Sequence, residues 1–377
     1  MAKSMRPQKW AHFRTGAAPY WNCYAVRRGG YFCQYRCFSA GGRVSTHNHP
    51  ASIQAKGKTM AKDNSVKTNR KRTVSNAAAS TWNENAGVAQ AYSDGAPLDK
   101  VTYLEAKLIL KPDRFTSVQS FRDFGAIVKK TAKKVGVGFI PDPDSESRPQ
   151  VREIVFGDTP DFRLYNNAFI LRRRISYVDG FPVGEPEIVF KFRHPDELKA
   201  TQVDVRPRIA GKYRIKFKVE ALPLKDRAGG YRLLYSHNCQ FGLSQVHEAD
   251  PSMATIVKIL PALSTLKKSK EEKISIVNEG IVEEILLPLG QLDFGKGQVG
   301  KCDVSLWRTR GEHKSLVGEF AFQVEFPSRE SVAGKPKKLA AQFYVTLQHA
   351  VNDWLALGVT KTGMVYRLKG NEPQSHE

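Results

Sequence analysis

Hydrophobic and charged residues alternate in several separate segments between about residues 103 and 326. In the first, YLEAKLIL, leucine and alanine occupy one face while Tyr103, Glu105 and Lys107 occupy the other. Side chains of a β-strand point alternately to opposite faces, so this period of two predicts a half-buried strand. The pattern recurs in FILRRRIS, EIVFKFR, YRIKFKVE and EFAFQVEF, and less regularly at residues 281–289 and 301–308.

Two segments repeat their apolar residues every three or four positions, as the buried stripe of an amphipathic helix does. The first follows the opening strand, where Thr116 and Gln119 predict a capping box at its start and Gly136 predicts its end. The second covers residues 337–357 and ends at Gly358. Many strands with two covering helices indicate a domain of the α+β class.

Residues 1–98 show neither period and are rich in Gly, Ser, Asn, Arg and Lys, so we predict a disordered basic tail. Three interpretations of this tail stay open: an arm that binds nucleic acid, a targeting peptide, or an overlong translation start with Met60 as one alternative beginning. Five residues could be assembled into a zinc site, but paired CxxC spacing is missing and unstructured residues are the simpler interpretation. These five are Cys23, Cys33, Cys37, His47 and His49.

The periodic part is predicted to be one domain, residues 99–362, followed by a short tail at residues 363–377. Residues 229–278 are polar and irregular, so we predict an insertion between strands. His237, Cys239 and His247 lie there, and single histidines and cysteines in a polar loop are ordinary loop residues rather than a metal site.

The composition adds a strong positive charge to this picture. Lys and Arg number 59 against 37 Asp and Glu, and the net charge of +22 favours polyanionic partners. Residues 1–72 carry +14 of that charge. The five cysteines lack disulfide-framework spacing and follow no secretory segment, which predicts a cytoplasmic location. No apolar run reaches the roughly 18 residues of a membrane span, so no membrane insertion is expected.

The polar faces of the predicted strands carry a high density of like charge. Like charges placed opposite one another destabilise a sheet, which indicates that a polyanion or nearby carboxylates neutralise them. The alternative is that these faces are simply solvated, as in most antiparallel sheets. The basic residues are Lys107, Arg172, Arg174, Lys191, Arg193, Arg214, Lys216 and Lys218. The acidic residues on the same type of face are Glu105, Glu220, Glu319 and Glu325.

A closed barrel with its apolar faces outward, covered by helices, would bring both charge types into one lumen. There the basic groups would bind phosphate oxygens and the carboxylates would bind Mg²⁺ or Mn²⁺, an arrangement that suits phosphoryl transfer. Water would be the nucleophile in such a site.

One motif is more specific than these patterns. Residues 156–174, FGDTPDFRLYNNAFILRRR, resemble the CYTH family, also called triphosphate tunnel metalloenzymes, in which Asp-Thr-Pro-Asp and a leucine precede a strand with Leu-Arg-x-Arg. This family includes thiamine triphosphatases, class IV adenylyl cyclases and tripolyphosphatases. The resemblance extends more weakly from Tyr103 to the closing helix. It implies an eight-stranded antiparallel tunnel that binds a triphosphate-like ligand with basic residues and a divalent metal with acidic ones.

The resemblance also assigns roles by position. Arg172 and Arg174 match the arginines of the motif, while Lys191 and Arg193 match the basic pair of the next strand. Glu319 matches an acidic position late in the chain. Asp158 matches the motif aspartate, for which we expect turn formation.

Two acidic positions of the family pattern are missing here. The opening Glu-x-Glu-x-Lys of the family reads Tyr103, Glu105, Lys107, and its late Glu-x-Glu reads Glu319, Phe320, Ala321. Fewer carboxylates weaken a metal site, so the sequence supports anion binding better than hydrolysis.

Three hypotheses of function follow. The first is binding of a triphosphate or polyphosphate in the tunnel, with metal-dependent hydrolysis as an extension and adenylyl cyclase activity less expected. The second is nucleic-acid binding by the basic tail, with aromatic residues available for stacking. These are Trp10, Tyr20, Trp21 and Tyr24. The third is a catalytically degenerate scaffold, for which the missing glutamates are the argument.

Overall fold

The computed structural model describes residues 101–143, 148–246, 251–266, 272–326 and 334–374. Our predictions for residues 1–98, together with His247, lie outside these ranges. Within them the chain forms ten β-strands: β1 Tyr103–Leu110, β2 Gly138–Pro141, β3 Gln150–Asp158, β4 Phe169–Val178, β5 Phe181–His194, β6 Tyr213–Pro223, β7 Tyr231–Gly242, β8 Ser275–Asp293, β9 Val299–Thr309 and β10 Ser315–Glu325. Six α-helices lie in the same ranges: α1 Val118–Val135, α2 Arg163–Asn166, α3 Glu197–Thr201, α4 Met253–Ile259, α5 Gly334–Ala350 and α6 Lys361–Tyr366.

Nine of these strands close into a barrel. Their order is β8-β3-β4-β5-β7-β6-β1-β10-β9, and pairing of β9 with β8 completes the ring. Every neighbouring pair is antiparallel except β1 and β6, which run parallel over four residues from Tyr103. The short strand β2 pairs with the end of β8 outside the ring. The closed antiparallel tunnel predicted from the sequence is therefore confirmed, with nine strands in place of eight.

Two strands of the barrel, β3 and β7, were not recognised in the sequence. We assigned residues 229–278 to an insertion, but residues Tyr231–Gly242 form β7, which pairs with β5 on one side and β6 on the other. Its centre contains Ser236, His237 and Asn238, all buried. Polar residues at buried positions on both faces remove the alternation by which a strand is recognised, so the sequence pattern did not show it.

Helices α1 and α5 cover the apolar face of the sheet around β1, β9 and β10. Leu108, Phe320 and Phe322 lie in one buried cluster with Phe124 of α1 and Phe343 of α5. Burial of large apolar side chains contributes roughly 1.5–3 kcal/mol each, so this outer layer stabilises the barrel wall. The helices predicted to cover the outside of the barrel are thus present.

The helix boundaries differ slightly from the predictions. Helix α1 is capped by Ser117, whose N–H donates to Oγ of Ser120 at 3.3 Å, and not by Thr116 with Gln119. Gly136 ends this helix in the left-handed conformation, as predicted. Helix α5 ends at Ala350, where a short 3₁₀ turn continues the chain toward Gly358. None of the helices in the described ranges is long and apolar enough to cross a membrane.

Helix α6 closes one end of the barrel. Val365 and Tyr366 lie in a buried cluster with Ile109, Val282 and Trp307, which occupy strands β1, β8 and β9. Ile109 shares its face of β1 with Lys107, so this cluster fills the lumen at that end. The polar part of the lumen therefore lies between α6 and the opposite mouth of the barrel.

Candidate functional site

The charged faces of the strands meet inside the barrel. Glu105 of β1 lies opposite Glu220 of β6 and Gln323 of β10 in the strand register. Arg172 of β4 interacts electrostatically with Glu105 and with Glu284 of β8, although neither strand is a neighbour of β4. Strands on opposite sides of a closed barrel place such side chains within range of one another when they point into the lumen.

Glu220 is the central carboxylate of the basic side of the lumen. It is fully buried, and three cations surround it. Nζ of Lys107 lies 2.9 Å from Oε2, the guanidinium of Arg193 lies 3.4 Å from the same oxygen, and Nζ of Lys191 lies 3.7 Å from Oε1. Burial alone would raise the pKa of Glu220, but these cations hold it well below its usual range. The single carboxylate of Glu220 is thus shared by three cations.

Glu105 is the second carboxylate on this side. Lys107 lies 2.8 Å from it and Lys218 lies 3.2 Å from it, and Lys218 also donates to Gln323 at 2.7 Å. Burial opposes ionisation, yet the two lysines lower the pKa of Glu105 to about 2. Both Glu105 and Glu220 are therefore ionised and already paired with lysine near neutral pH.

Positive charge remains in excess on this side. Burial lowers the pKa of Lys191 well below its usual range, and the neighbouring cations Lys107, Arg193 and Arg172 add to the effect that Glu220 opposes. Burial and the guanidinium of Arg174 lower the pKa of Arg172 to about 10. Nε of Arg172 is buried and has no hydrogen-bond acceptor among the described residues. Such an orphaned donor inside a cationic cluster is the feature that an anion would satisfy.

The remaining predicted residues line the mouth opposite α6. Arg214 is exposed and donates to Gln240 at 3.2 Å. Lys216 lies 5.0 Å from the ring centre of Tyr103, and burial together with Lys218 and Arg214 lowers its pKa to about 8. Arg174 pairs with Glu187 at 2.6 Å, and Glu325 accepts a hydrogen bond from the Tyr103 hydroxyl at 2.9 Å.

The opposite wall of the lumen is acidic. Glu284, Asp303 and Glu319 lie on β8, β9 and β10, and Nζ of Lys361, from α6, is 2.7 Å from Glu319 and 3.2 Å from Glu284. Arg152 of β3 lies 3.4 Å from the other oxygen of Glu284. Burial raises the pKa of Asp303 to about 7; Lys361 opposes this effect, and Glu284 and Glu319 add to it.

The carboxylates predicted to bind Mg²⁺ or Mn²⁺ are not gathered around one point. Lys107 joins Glu105 to Glu220, Glu319 pairs with Lys361, and Glu325 lies at the mouth. Within the part of the chain that the structure describes, no three His, Cys, Asp or Glu side chains are grouped closely enough to hold a metal ion. A divalent ion needs several oxygen ligands that are free of competing ammonium groups, so this donor set does not fit one.

Asp158 organises the turn after β3, the role we expected from the motif. Its carboxylate accepts hydrogen bonds from the backbone N–H groups of Thr159, Leu164 and Tyr165 at 2.7, 2.8 and 3.0 Å. It also accepts one from the Tyr366 hydroxyl at 2.9 Å. The motif aspartate therefore fixes the entry to β4 and holds α6 at the end of the barrel.

Two residues flagged in the predicted insertion belong to the outer face of β7. His237 stacks on Phe217 with 5.1 Å between ring centres, and Cys239 is fully buried in the same apolar cluster. Neither position is a loop position, but both are packing residues rather than part of the lumen.

Sequence reasoning identified most of the basic side but missed four charged residues. Lys361 was overlooked because α6 is short and carries no apolar period. Glu284 and Asp303 lie on the two strands whose alternation is irregular, and Arg152 lies on β3, which was not recognised as a strand. The sequence EEIL in β8 was the one available signal, since it places a carboxylate beside buried apolar residues.

No family model matches the sequence, and no curated protein matches it. Matching solved structures include a candidate adenylyl cyclase from Hippeastrum, described as having a dominant triphosphatase activity, which is 11% identical. That match covers 74% of this chain and 100% of the other, with a TM-score of 0.36. Candidate adenylate cyclases from Bacillus halodurans and Vibrio parahaemolyticus are each 10% identical, with TM-scores of 0.30. They cover 65% and 71% of this chain and 91% and 99% of their own.

The closed barrel rests on the strand pairing of this chain, and it is the architecture that the resemblance to the CYTH family implies.

Proposed function

We propose that the tunnel binds a triphosphate or polyphosphate anion on its basic side. The observation that carries this proposal is the excess of enclosed cations there, together with the buried Nε of Arg172 that has no acceptor among the described residues. Lys191 and Arg193 share the single carboxylate of Glu220 with Lys107. A chain of phosphate groups supplies several oxygens and several negative charges, which is what this cluster requires.

The energetic argument concerns charge balance. Burial, and after it repulsion from the neighbouring cations, lowers the pKa of Lys191, which expresses the cost of holding a charge there. A bound phosphate would favour the charged form of Lys191, so binding would return its pKa toward the usual value. Hydrogen bonds between a guanidinium or ammonium and phosphate are charge-assisted and are stronger than neutral ones.

The ligand would enter from the mouth that Arg214 and Lys216 line, because α6 fills the other end. Cations at the mouth raise the local concentration of anions and favour their entry. A linear phosphate chain fits this path, since its charges would lie along the row of cations from the mouth toward Arg172.

Binding is better supported than metal-dependent hydrolysis. The resemblance implies Mg²⁺ or Mn²⁺, but the predicted carboxylates are paired with lysines in the described residues. Hydrolysis and adenylyl cyclase activity stay predictions of the resemblance. Nucleic-acid binding by the tail likewise stays a prediction, because those residues lie outside the described ranges.

The test is the thermal midpoint of the full chain with and without tripolyphosphate. A ligand that binds only the folded state at 100 times its Kd stabilises that state by about 2.7 kcal/mol. Binding to a segment that is the same in folded and unfolded protein, as we predict for the basic tail, would leave the midpoint unchanged. We expect a saturable rise in the wild type.

The matched variants are Arg172→Gln and Arg148→Gln. Arg172 lies in the cluster, whereas Arg148 is almost fully exposed and pairs with Asp179. We expect Arg172→Gln to lose most of the rise and Arg148→Gln to keep it. A wild type with no rise, or an Arg172→Gln variant with an unchanged rise, would contradict the proposal.

A further inference from the structure

The acidic wall of the lumen has its own cation, which belongs to the chain itself. Lys361 is the first residue of α6, and its side chain is 15% exposed. Its Nζ lies 2.7 Å from Oε1 of Glu319, 3.2 Å from Oε1 of Glu284 and 3.3 Å from Oγ of Ser305. An ammonium group has three N–H donors, so these three oxygens use all of them.

An aromatic ring also contacts this ammonium. Nζ lies 4.6 Å from the ring centre of Trp307, within the range of a cation–π contact. The indole N–H of Trp307 donates to Glu284 at 2.8 Å, so the ring and the carboxylate that contact Lys361 hold each other in place. Three oxygens and one aromatic ring therefore contact the ammonium.

The helix that delivers Lys361 is fixed at both ends. The Thr360 hydroxyl caps its start by accepting from the N–H of Gly363 at 3.0 Å. At its end, the side-chain amide of Asn278 donates to the carbonyls of Val365 and Tyr366 at 2.9 and 2.8 Å. The Tyr366 hydroxyl donates to Asp158. These contacts hold the ammonium at a defined point among the carboxylates.

We propose that Lys361 is a resident cation that neutralises the acidic wall in place of a divalent metal, so that anion binding in the tunnel is independent of metal. This inference rests on the proposed function. A divalent ion added beside the ammonium would meet its repulsion, and its carboxylate ligands would first have to give up their contacts with Lys361.

The first experiment uses Mn²⁺ alone, with electron paramagnetic resonance of free Mn²⁺ as the readout and the full chain as the sample. Glu319→Gln separates ions bound in the lumen from ions bound elsewhere on the chain. We expect the wild type and Glu319→Gln to bind the same amount of Mn²⁺. Stoichiometric binding in the wild type that Glu319→Gln abolishes would overturn the proposal.

The second experiment compares the tripolyphosphate-dependent rise in midpoint in EDTA with the rise in Mn²⁺. We expect equal rises in the wild type, and a rise that appears only with Mn²⁺ would overturn the proposal. Lys361→Met should weaken tripolyphosphate binding about tenfold by removing the cation that pairs with Glu319, while Lys361→Arg keeps most of the affinity.

The control for these variants is Lys369→Met, which removes an exposed lysine that pairs with Glu279 shortly after α6. It should bind tripolyphosphate like the wild type. If tripolyphosphate raised the midpoint in no condition, the proposed function would be refuted. The Mn²⁺ binding experiment would still test whether Lys361 takes the place of a metal. The two proposals therefore fail in distinguishable ways.

Discussion

The two walls of the lumen concentrate opposite charges and neutralise them by different means. On the basic wall the compensating carboxylates, Glu105 and Glu220, belong to the same sheet as the cations they pair with. On the acidic wall a main compensating cation, Lys361, comes from a helix outside the sheet. The sheet alone leaves cations in excess on one side and carboxylates in excess on the other. On the first side our proposal assigns the balancing charge to an external anion, whereas on the second side Lys361 of the chain itself supplies it.

Removal of Glu220 should have the largest effect, because it breaks the compensation within the basic wall. Glu220→Gln leaves Lys107, Lys191 and Arg193 buried without their shared carboxylate, and breaking a buried ion pair costs roughly 3–5 kcal/mol. We expect that loss in denaturant unfolding, with part of it recovered by tripolyphosphate. Glu279→Gln, at an exposed pair with Lys369, is the control and should show no measurable change. Equal stability of the two variants would contradict this account of the basic wall.

The pH dependence of stability tests the acidic wall, because Asp303 titrates within it. Its pKa is raised from 3.8 to about 7, so the folded state favours the protonated acid and loses stability as pH rises from about 4 to about 7. Asp303→Asn removes this loss, and we expect it to gain roughly 2–4 kcal/mol over the wild type between pH 4 and pH 8. Unfolding of both proteins across that range is the measurement. Asp226→Asn, at an exposed carboxylate between β6 and β7, is the control; a pH-independent difference for Asp303→Asn would refute the explanation.

The smallest expected effect concerns the attachment of α6, the helix that carries Lys361. Tyr366→Phe removes the hydrogen bond to Asp158, which keeps its three backbone donors. The loss of one buried hydrogen bond to a carboxylate should cost about 1–2 kcal/mol in denaturant unfolding. The control is Tyr231→Phe, because the ring of Tyr231 packs against Tyr344. This variant should lose less unfolding free energy. If Tyr231→Phe cost as much, the bond to Asp158 would not be what holds α6.

The difference between the walls also explains what the sequence could and could not predict. On the basic wall, β4, β5 and β6 alternate clearly, and alternation alone places Arg172, Lys191 and Lys218 on one face. Closure of the barrel then brings those faces together, which is why the cluster was predictable. The pairing of Glu220 with three particular cations was not, because strand order and register depend on contacts distant in sequence.

The acidic wall was largely beyond sequence reasoning. Its strands β8 and β9 contain bulges and buried polar residues, so Glu284 and Asp303 do not stand out from a pattern. Lys361 looks like an ordinary lysine in a short terminal helix. Its role depends on where α6 docks, which the contacts of Tyr366 and Asn278 determine in three dimensions. Local propensity carries no information about such a position.

The parallel pairing of β1 with β6 bears on the order in which the molecule folds. β1 joins β6 on one side and β10 on the other, and Tyr103 contacts Glu325 across 222 positions of the chain. The hairpins β4–β5 and β9–β10 are local and can form early, whereas this closure must wait for the end of the domain. Until β1 has joined β6, Lys218 of β6 lacks its partner Glu105. We expect the ring to close late, so that the charged lumen is complete only after β10 has paired with β1.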